Sequence, residues 1–295
     1  MRNFYKIMFW ISVALTVLAI IFIAIFGLQY GIDFKGGSVI ELVFEAARPT
    51  ATELEHAVSA VSEVTNVSVN LAGDKDAIVR LNDISEPAHQ AILQQVAEKF
   101  GQVIEKRFDS IGPTIGSELR RKSITSIIIL LLAVTFYIAF VFRKLSRVLS
   151  PWAVSLSAIA ALIHDILIPT GIFAWLGHYY GIEVTAVFVA AALTILGYSL
   201  SDSVVVFDRV RENVLRLGHK DNFGELVHKS IMQTLVRSLN TTFATLLSLV
   251  SIYFFGGESI KYFALALILG IFCGAYSSFF VAAPILVWLS RKKKS

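Results

Sequence analysis

Long uncharged apolar runs alternate with short polar connections along this chain, and one long polar insert interrupts them. A helix that crosses a bilayer needs about 20 predominantly apolar residues. Residues 7–28, 124–142, 149–175, 184–207, 239–255 and 262–289 meet or approach that length. Four of these runs, 7–28, 124–142, 239–255 and 262–289, carry no charge. The pattern therefore predicts six membrane helices. The first follows Arg2 and Lys6, as a cleaved leader would. Its apolar run exceeds the usual leader core and no small-residue cleavage site follows, so it reads as a retained anchor.

The insert shows different periods. "SVIELVFE" (38–45) reads as a strand, and residues 50–64 have helical spacing with Thr50 or Thr52 as N-cap. "VSVNLA", "GDKD" and "AIVRL" read as a hairpin around a polar turn. "SEPAHQAILQQVAEKFG" starts at a cap-like Ser85, has Pro87 early and stops at Gly101; a strand over 102–111 closes the insert. The order β-α-β-β-α-β predicts a ferredoxin-like α+β domain. The expected organisation is residues 1–28 as N-terminus and first span, 29–122 as the α+β domain with its linker, and 123–295 as spans two to six. The last part includes a loop at about 208–237 and a basic tail, "RKKKS".

Composition fits this picture. The chain has 295 residues, 56% hydrophobic and only 16% charged, against about a quarter charged in soluble domains. Its net charge of +4 reads as loop bias rather than a nucleic-acid footprint. Arg143, Lys144, Arg147, Arg209, Arg211, Arg216, Lys220, Lys229, Arg237 and residues 291–294 fall on the same side as the N-terminus, whereas the opposite short loops hold only Lys261. The positive-inside rule then puts both termini in the cytoplasm and the insert outside. Arg120, Arg121 and Lys122 disagree with that bias and read as an interfacial helix at the headgroups. The single cysteine, Cys273, sits in an apolar run as packing material.

Chemistry concentrates in two intramembrane carboxylates. Asp165 lies near the middle of the third span and Asp202 in the fourth, in "GYSLSDSVVVFDRVREN" (197–213). An Asp near a helix centre costs about 2.5–3.5 kcal/mol on insertion scales, which marks it as functional by default. A dry setting disfavours a permanently charged carboxylate and suits one that takes up and releases a proton. A proton crossing the membrane gains about 2.3 kcal/mol per 100 mV. His164 is a further relay candidate on a different side of its helix, and Arg237 a candidate counter-charge. The depths of Asp165 and Asp202 are expected to differ by about ten ångströms or more, so hydroxyls or water would bridge them. Tyr198 and Ser199 share the face of Asp202, and Gly197 permits close helix approach. The alternative for each carboxylate is a hydrogen-bonded packing role. The sequence shows no nucleophile–base set, metal-ligand cluster or nucleotide loop, so neither an enzyme activity nor a cofactor or metal is expected.

Three stretches together carry a family resemblance: "GIDFKGG" (31–37), "IGPTIGSELRRKS" (111–123) and "GYSLSDSVVVFDRVREN" (197–213). With six spans and one large outer domain, the chain resembles the SecF branch of the SecD/SecF family of Sec translocase subunits, over nearly its whole length. The resemblance implies an RND-like half-unit in the bacterial inner membrane, with its large domain periplasmic. It implies pairing with SecD, association with the SecYEG channel and with YajC or YidC, and contact with unfolded secretory polypeptide and lipid. It also implies use of the proton motive force in late export, with Asp202 at the family's fourth-span Asp and Asp165 in the "HD" of its third. Gly31, Asp33, Phe34, Gly36 and Gly37 read as a tight structural junction, with Asp33 and Lys35 as a local pair. Gly112, Pro113 and Gly116 break the chain before the second span, as a hinge or as a plain linker turn.

Three other classes stay open on the residues alone. One is a structural assembly subunit without its own proton path. Another is half of an RND-type small-molecule exporter, for which the insert offers little room. The last is an intramembrane protease using Asp165 and Asp202.

Overall fold

A computed structural model describes residues 3–45, 47–145, 150–217 and 223–291. The chain forms two compact units: residues 29–124 with 183–186, and the remainder.

The smaller unit is an α/β sandwich. After a one-turn helix α2 (Ile32–Lys35), β1 (Gly37–Phe44), α3 (Ala51–Ser59), β2 (Ser68–Ala72), β3 (Asp76–Leu81), α4 (Glu86–Phe100) and β4 (Val103–Ile111) follow in order. The sheet is antiparallel, ordered β2-β3-β1-β4. This is the split β-α-β arrangement of the ferredoxin-like fold. Alternation decides its faces. Ile40, Leu42 and Phe44 of β1, with Ala77, Val79 and Leu81 of β3, form a core with Leu54, Val58, Ile92 and Val96 of the two helices. Helix α3 starts at Thr50, whose hydroxyl accepts from Glu53 N at 3.3 Å while the Glu53 carboxylate accepts from Thr50 N at 2.9 Å. It stops at Ser59, short of residue 64, because Glu63 (φ 74°) and Asn66 (φ 54°) turn the chain left-handed.

The larger unit holds membrane helices α1 (Asn3–Phe26), α6 (Pro151–Tyr180), α7 (Ala186–Leu217), α8 (Phe223–Phe255) and α9 (Glu258–Ser277), which continues through a π turn, Ser278–Ala282, into α10 (Ala283–Arg291). Helix α5 (Pro113–Val141) supplies the remaining span; its residues from Thr125 onward belong to this unit. Six helices are thus long and apolar enough to cross a membrane, and the protein is a multi-pass membrane protein.

Helices outrun the apolar runs that reveal them, because hydrogen bonding continues where hydropathy ends. The loop expected over 208–237 is helical for most of its length: residues 208–217 extend α7 and 223–237 open α8. Arg120, Arg121 and Lys122 lie on the first turns of α5 itself rather than on a separate interfacial helix. The break expected over 112–116 reduces to Gly112; Pro113, which needs no amide hydrogen at a helix start, opens α5, and Gly116 lies inside it. Arg2, Arg147, Lys220 and residues 292–295 of the tail lie outside the described residues.

Two close approaches fix the bundle. A Cβ on Gly171 of α6 would stand 2.5 Å from Ala19 Cα of α1. On α9, Gly270 and Gly274 face α7, where added Cβ atoms would meet Ile195 Cδ1 at 2.2 Å and Ser199 Cβ at 3.0 Å. Small residues four apart let helix backbones meet in this way. Gly197 does not take part; its Cβ position is open space.

Candidate functional site: two intramembrane carboxylates and a glycine-rich junction

The α7–α9 contact keeps a period of four. Gly270 faces Ile195, Gly274 faces Ser199, and Ser278 hydrogen-bonds Ser203 at 3.1 Å. This register brings hydroxyls to the carboxylates. Asp165 of α6 is fully enclosed. Its Oδ1 lies 2.8 Å from His164 Nδ1, and its Oδ2 accepts from the hydroxyls of Ser199 on α7 and of Ser277 on α9, the latter at 2.7 Å. Four donors or acceptors from three spans therefore meet at one point.

Asp202 is enclosed as well, at 9% exposure. Its Oδ1 accepts from the Ser238 hydroxyl of α8. Ser278 stands beside this carboxylate, but its hydroxyl is committed to Gly274 O at 2.9 Å and to Ser203. Asp202 Oδ2 has no hydrogen-bond partner of good geometry among the described residues, and neither does His164 Nε2. Buried polar atoms are nearly always paired, so each orphan calls for a role.

Two sequence expectations change here. His164 does not point away from Asp165; the adjacent side chains are joined. The expected depth difference of ten ångströms or more is also overturned. Asp165 bonds Ser199, three residues before Asp202, so the two carboxylates are offset by about 4.5 Å along α7. Relative register between antiparallel helices is written in neither helix alone. Hydroxyls line the region between them: Ser199 and Ser277 on Asp165, and the Ser203–Ser278 pair one turn further along. Arg237 is exposed on α8, where its carbonyl accepts from Thr241 Oγ1, and it makes no ion pair among the described residues.

The sequence reading missed the hydroxyl partners on α8 and α9. The available signal was "GIFCGAYSS", with small residues at 270, 274 and 278, set against 195, 199 and 203 of the fourth span.

The glycine-rich stretch builds a separate junction within the smaller unit. Gly31 N donates to Val184 O at 3.0 Å, and Val184 N donates to Gln29 O. Asp33 accepts from Ala186 N at 2.7 Å, the first residue of α7, and so caps that helix. The expected local ion pair with Lys35 is not made among the described residues; Asp33 caps α7 instead. Phe34 is buried beside Tyr30, whose ring carries the Arg120 guanidinium 4.6 Å from its centroid. Gly36 and Gly37 have φ of 78° and 126°; Cβ atoms there would stand 2.7 Å from Pro113 Cα and 2.6 Å from Leu81 O. A Cβ on Gly116 would lie 2.9 Å from Gly36 N. Gly112 leads directly into α5. Glu183 pairs with Arg80 at 3.0 Å. Burial pushes the Glu183 carboxyl above its ordinary range, against the opposing pull of Arg80 and Lys35.

Comparison with known proteins gives this architecture a family. Residues 91–292 match the model of the protein export membrane protein SecD/SecF, C-terminal, and residues 21–47 match the SecD/SecF GG motif. The chain belongs to the SecD/SecF family. It is 39% identical to the protein translocase subunit SecF of Thermobaculum terrenum over 96% of this chain and 91% of that one. It is 36% identical to the protein translocase subunit SecDF of Brucella abortus, over 97% of this chain and 37% of the longer relative. The crystal structure of SecDF from Thermus thermophilus, described as a translocon-associated membrane protein, superposes with a TM-score of 0.83 at 30% identity. That match covers the whole of this chain and 39% of the SecDF chain. A super-membrane-facing form of SecDF gives a TM-score of 0.69. The SecD/SecF match runs through both parts of the molecule, the GG motif falling on the junction and the longer model on the carboxylate-bearing spans. Family membership carries a role in Sec protein export.

Proposed function

We propose that this chain is a non-enzymatic, proton-coupled subunit of protein export that works without a cofactor. Asp202 takes up and releases the proton, and the smaller unit acts on polypeptide late in its translocation. One observation carries the reading. Asp202 is the enclosed carboxylate whose second oxygen has no partner of good geometry among the described residues, whereas a carboxylate kept for packing would have both oxygens satisfied. The lysine and arginine bias puts the α7–α8 connection and both termini on the cytoplasmic side of a bacterial inner membrane, and the smaller unit on the periplasmic side. Relatives that fuse SecD and SecF in one chain support SecD as the partner that completes the unit. SecYEG, with YajC or YidC, is the proposed machinery around it. The proton's gain of about 2.3 kcal/mol per 100 mV is enough to bias a two-state element.

The test is export of a secreted reporter in cells carrying Asp202→Asn, with and without an uncoupler, alongside recovery of SecD by pull-down. Export at the uncoupled level with SecD still bound supports the proposal. Normal export makes Asp202 a packing residue.

A further inference from the structure

The buried face of α8 carries hydroxyls at a strict interval of four. Ser230, Thr234, Ser238 and Thr242 are all enclosed, at 0, 4, 2 and 5% exposure. From residue 230 to 242, Ile231 is the one apolar side chain among the described buried positions of this helix. Packing alone favours apolar side chains at such positions. A second observation lies on α7. Ser238 donates to Asp202 Oδ1, and the other oxygen of that enclosed carboxylate has no partner of good geometry among the described residues. One turn to one side, Tyr198 donates to Thr242 at 3.2 Å. To the other side, the buried Asn213 Nδ2 donates to Ser230 Oγ at 2.8 Å and to Gln233 Oε1 at 2.9 Å. Gln233 is exposed, so the polar line reaches the surface there, on the side where Arg209, Arg211 and Arg216 lie.

We infer that Ser238, Thr234 and Ser230 form a proton conduit between Asp202 and the Asn213 end of α7, an inference that rests on the proton-coupled reading above. The line from Ser238 to Ser230 is about 12 Å long, in steps of about 6 Å. A step of that size exceeds a hydrogen bond and suits one bridging water. Ser238 donates to Asp202, and the other two hydroxyls now donate to their own helix: Ser230 to Leu226 O at 2.9 Å, and Thr234 to Ser230 O at 3.2 Å and Ile231 O at 3.1 Å. Rotation about the side chain releases these bonds. When Asp202 gives up its proton, the Ser238 hydroxyl, turned away from Oδ1, accepts it on oxygen and passes its own proton to a bridging water. Each hydroxyl likewise accepts one proton on oxygen and gives one up. One proton leaves at the Asn213 end, every hydroxyl and water is neutral again, and Asp202 is left as carboxylate.

The experiment compares Thr234→Val, Thr234→Ser, Ser230→Ala and Asp202→Asn in the full membrane complex. It reads the uncoupler-sensitive part of reporter export and the recovery of the complex. Valine keeps the shape of threonine and removes the hydroxyl. Thr234→Val is expected to lower uncoupler-sensitive export at least about tenfold, in line with losing one proton-transfer group, with the complex recovered normally. Ser230→Ala lowers it in the same direction, and Thr234→Ser restores it. Wild-type export in Thr234→Val and Ser230→Ala, with Asp202→Asn inactive, overturns the conduit and leaves the role of Asp202 standing. Failure of Thr234→Ser alongside Thr234→Val marks a packing role and also overturns it. Wild-type export in Asp202→Asn overturns both readings.

Discussion

Asp165 and Asp202 stand about one turn apart in depth, and their surroundings differ in kind. Around Asp165, three helices converge and both oxygens are engaged by His164, Ser199 and Ser277. Around Asp202, one oxygen accepts from Ser238, and the other, with Ser278 beside it, has no partner of good geometry among the described residues. A group held by many donors resists change, and a group held by one can exchange. Under the proposed function Asp202 is the carboxylate that exchanges a proton, and the comparison proposes Asp165 as the one that holds the bundle together.

The strongest way to break this division is Asp165→Asn. Replacing this carboxylate leaves enclosed donors from His164, Ser199 and Ser277 short of an acceptor, each at about 1–3 kcal/mol. The expected outcome is loss of folded protein from detergent extracts, seen as a lower thermal midpoint, and not selective loss of uncoupler-sensitive export. A well-folded but uncoupled Asp165→Asn would reverse the assignment. Next comes Gly270→Leu. Its Cβ alone would overlap Ile195, and overpacking of this kind costs up to about 3 kcal/mol. Pushing α9 from α7 should separate Ser277 and Ser278 from their partners, which a cysteine cross-linking pair across the two helices would report as slower bridging. Ser277→Ala should cost about 1.5 kcal/mol, since Ser199 still donates to the same Asp165 oxygen, with export rate per folded complex unchanged.

The smallest effect extends the comparison to a third carboxylate, outside the membrane spans. Burial raises the Glu183 carboxyl above its ordinary value of 4.5. Its stabilising contribution is therefore complete below that value and is lost as pH rises through the raised one. Hydrogen-exchange protection of the Gly31 and Val184 amides should fall over that interval in the wild type, and the trend should vanish in Glu183→Gln. A flat wild-type profile would show that Arg80 fully offsets the burial.

Much of this was legible in the chain because it is local. Six apolar runs set the spans, and alternation with a capping box and turn residues set the β-α-β-β-α-β order. The two intramembrane carboxylates could be picked out against apolar neighbours. What could not be read was relational. The partners of Asp165 come from residues 34 and 112 positions away, and no periodicity within one span fixes its register against another. Helix ends were underestimated wherever a helix leaves the apolar layer, as α7 does beyond residue 207. The Asp33 cap was hidden for the same reason, since Ala186 lies 153 residues from it. The hydroxyl line of α8 was visible as letters but gains meaning only beside Asp202.

The π turn at Ser278–Ala282 has a consequence for length. A π turn closes i→i+5 where an α turn closes i→i+4, so the last span carries one residue more than a regular helix of that rise. That surplus splits the span into two phases. Residues up to Ser278 keep step with α7, and those from Ala283 onward keep a step of their own. A single-residue deletion within 278–282 would leave an ordinary α-helix and keep the residues beyond the cut close to their present phase. The same deletion anywhere earlier in the span would carry Ser277 off Asp165 and Ser278 off Ser203 at once.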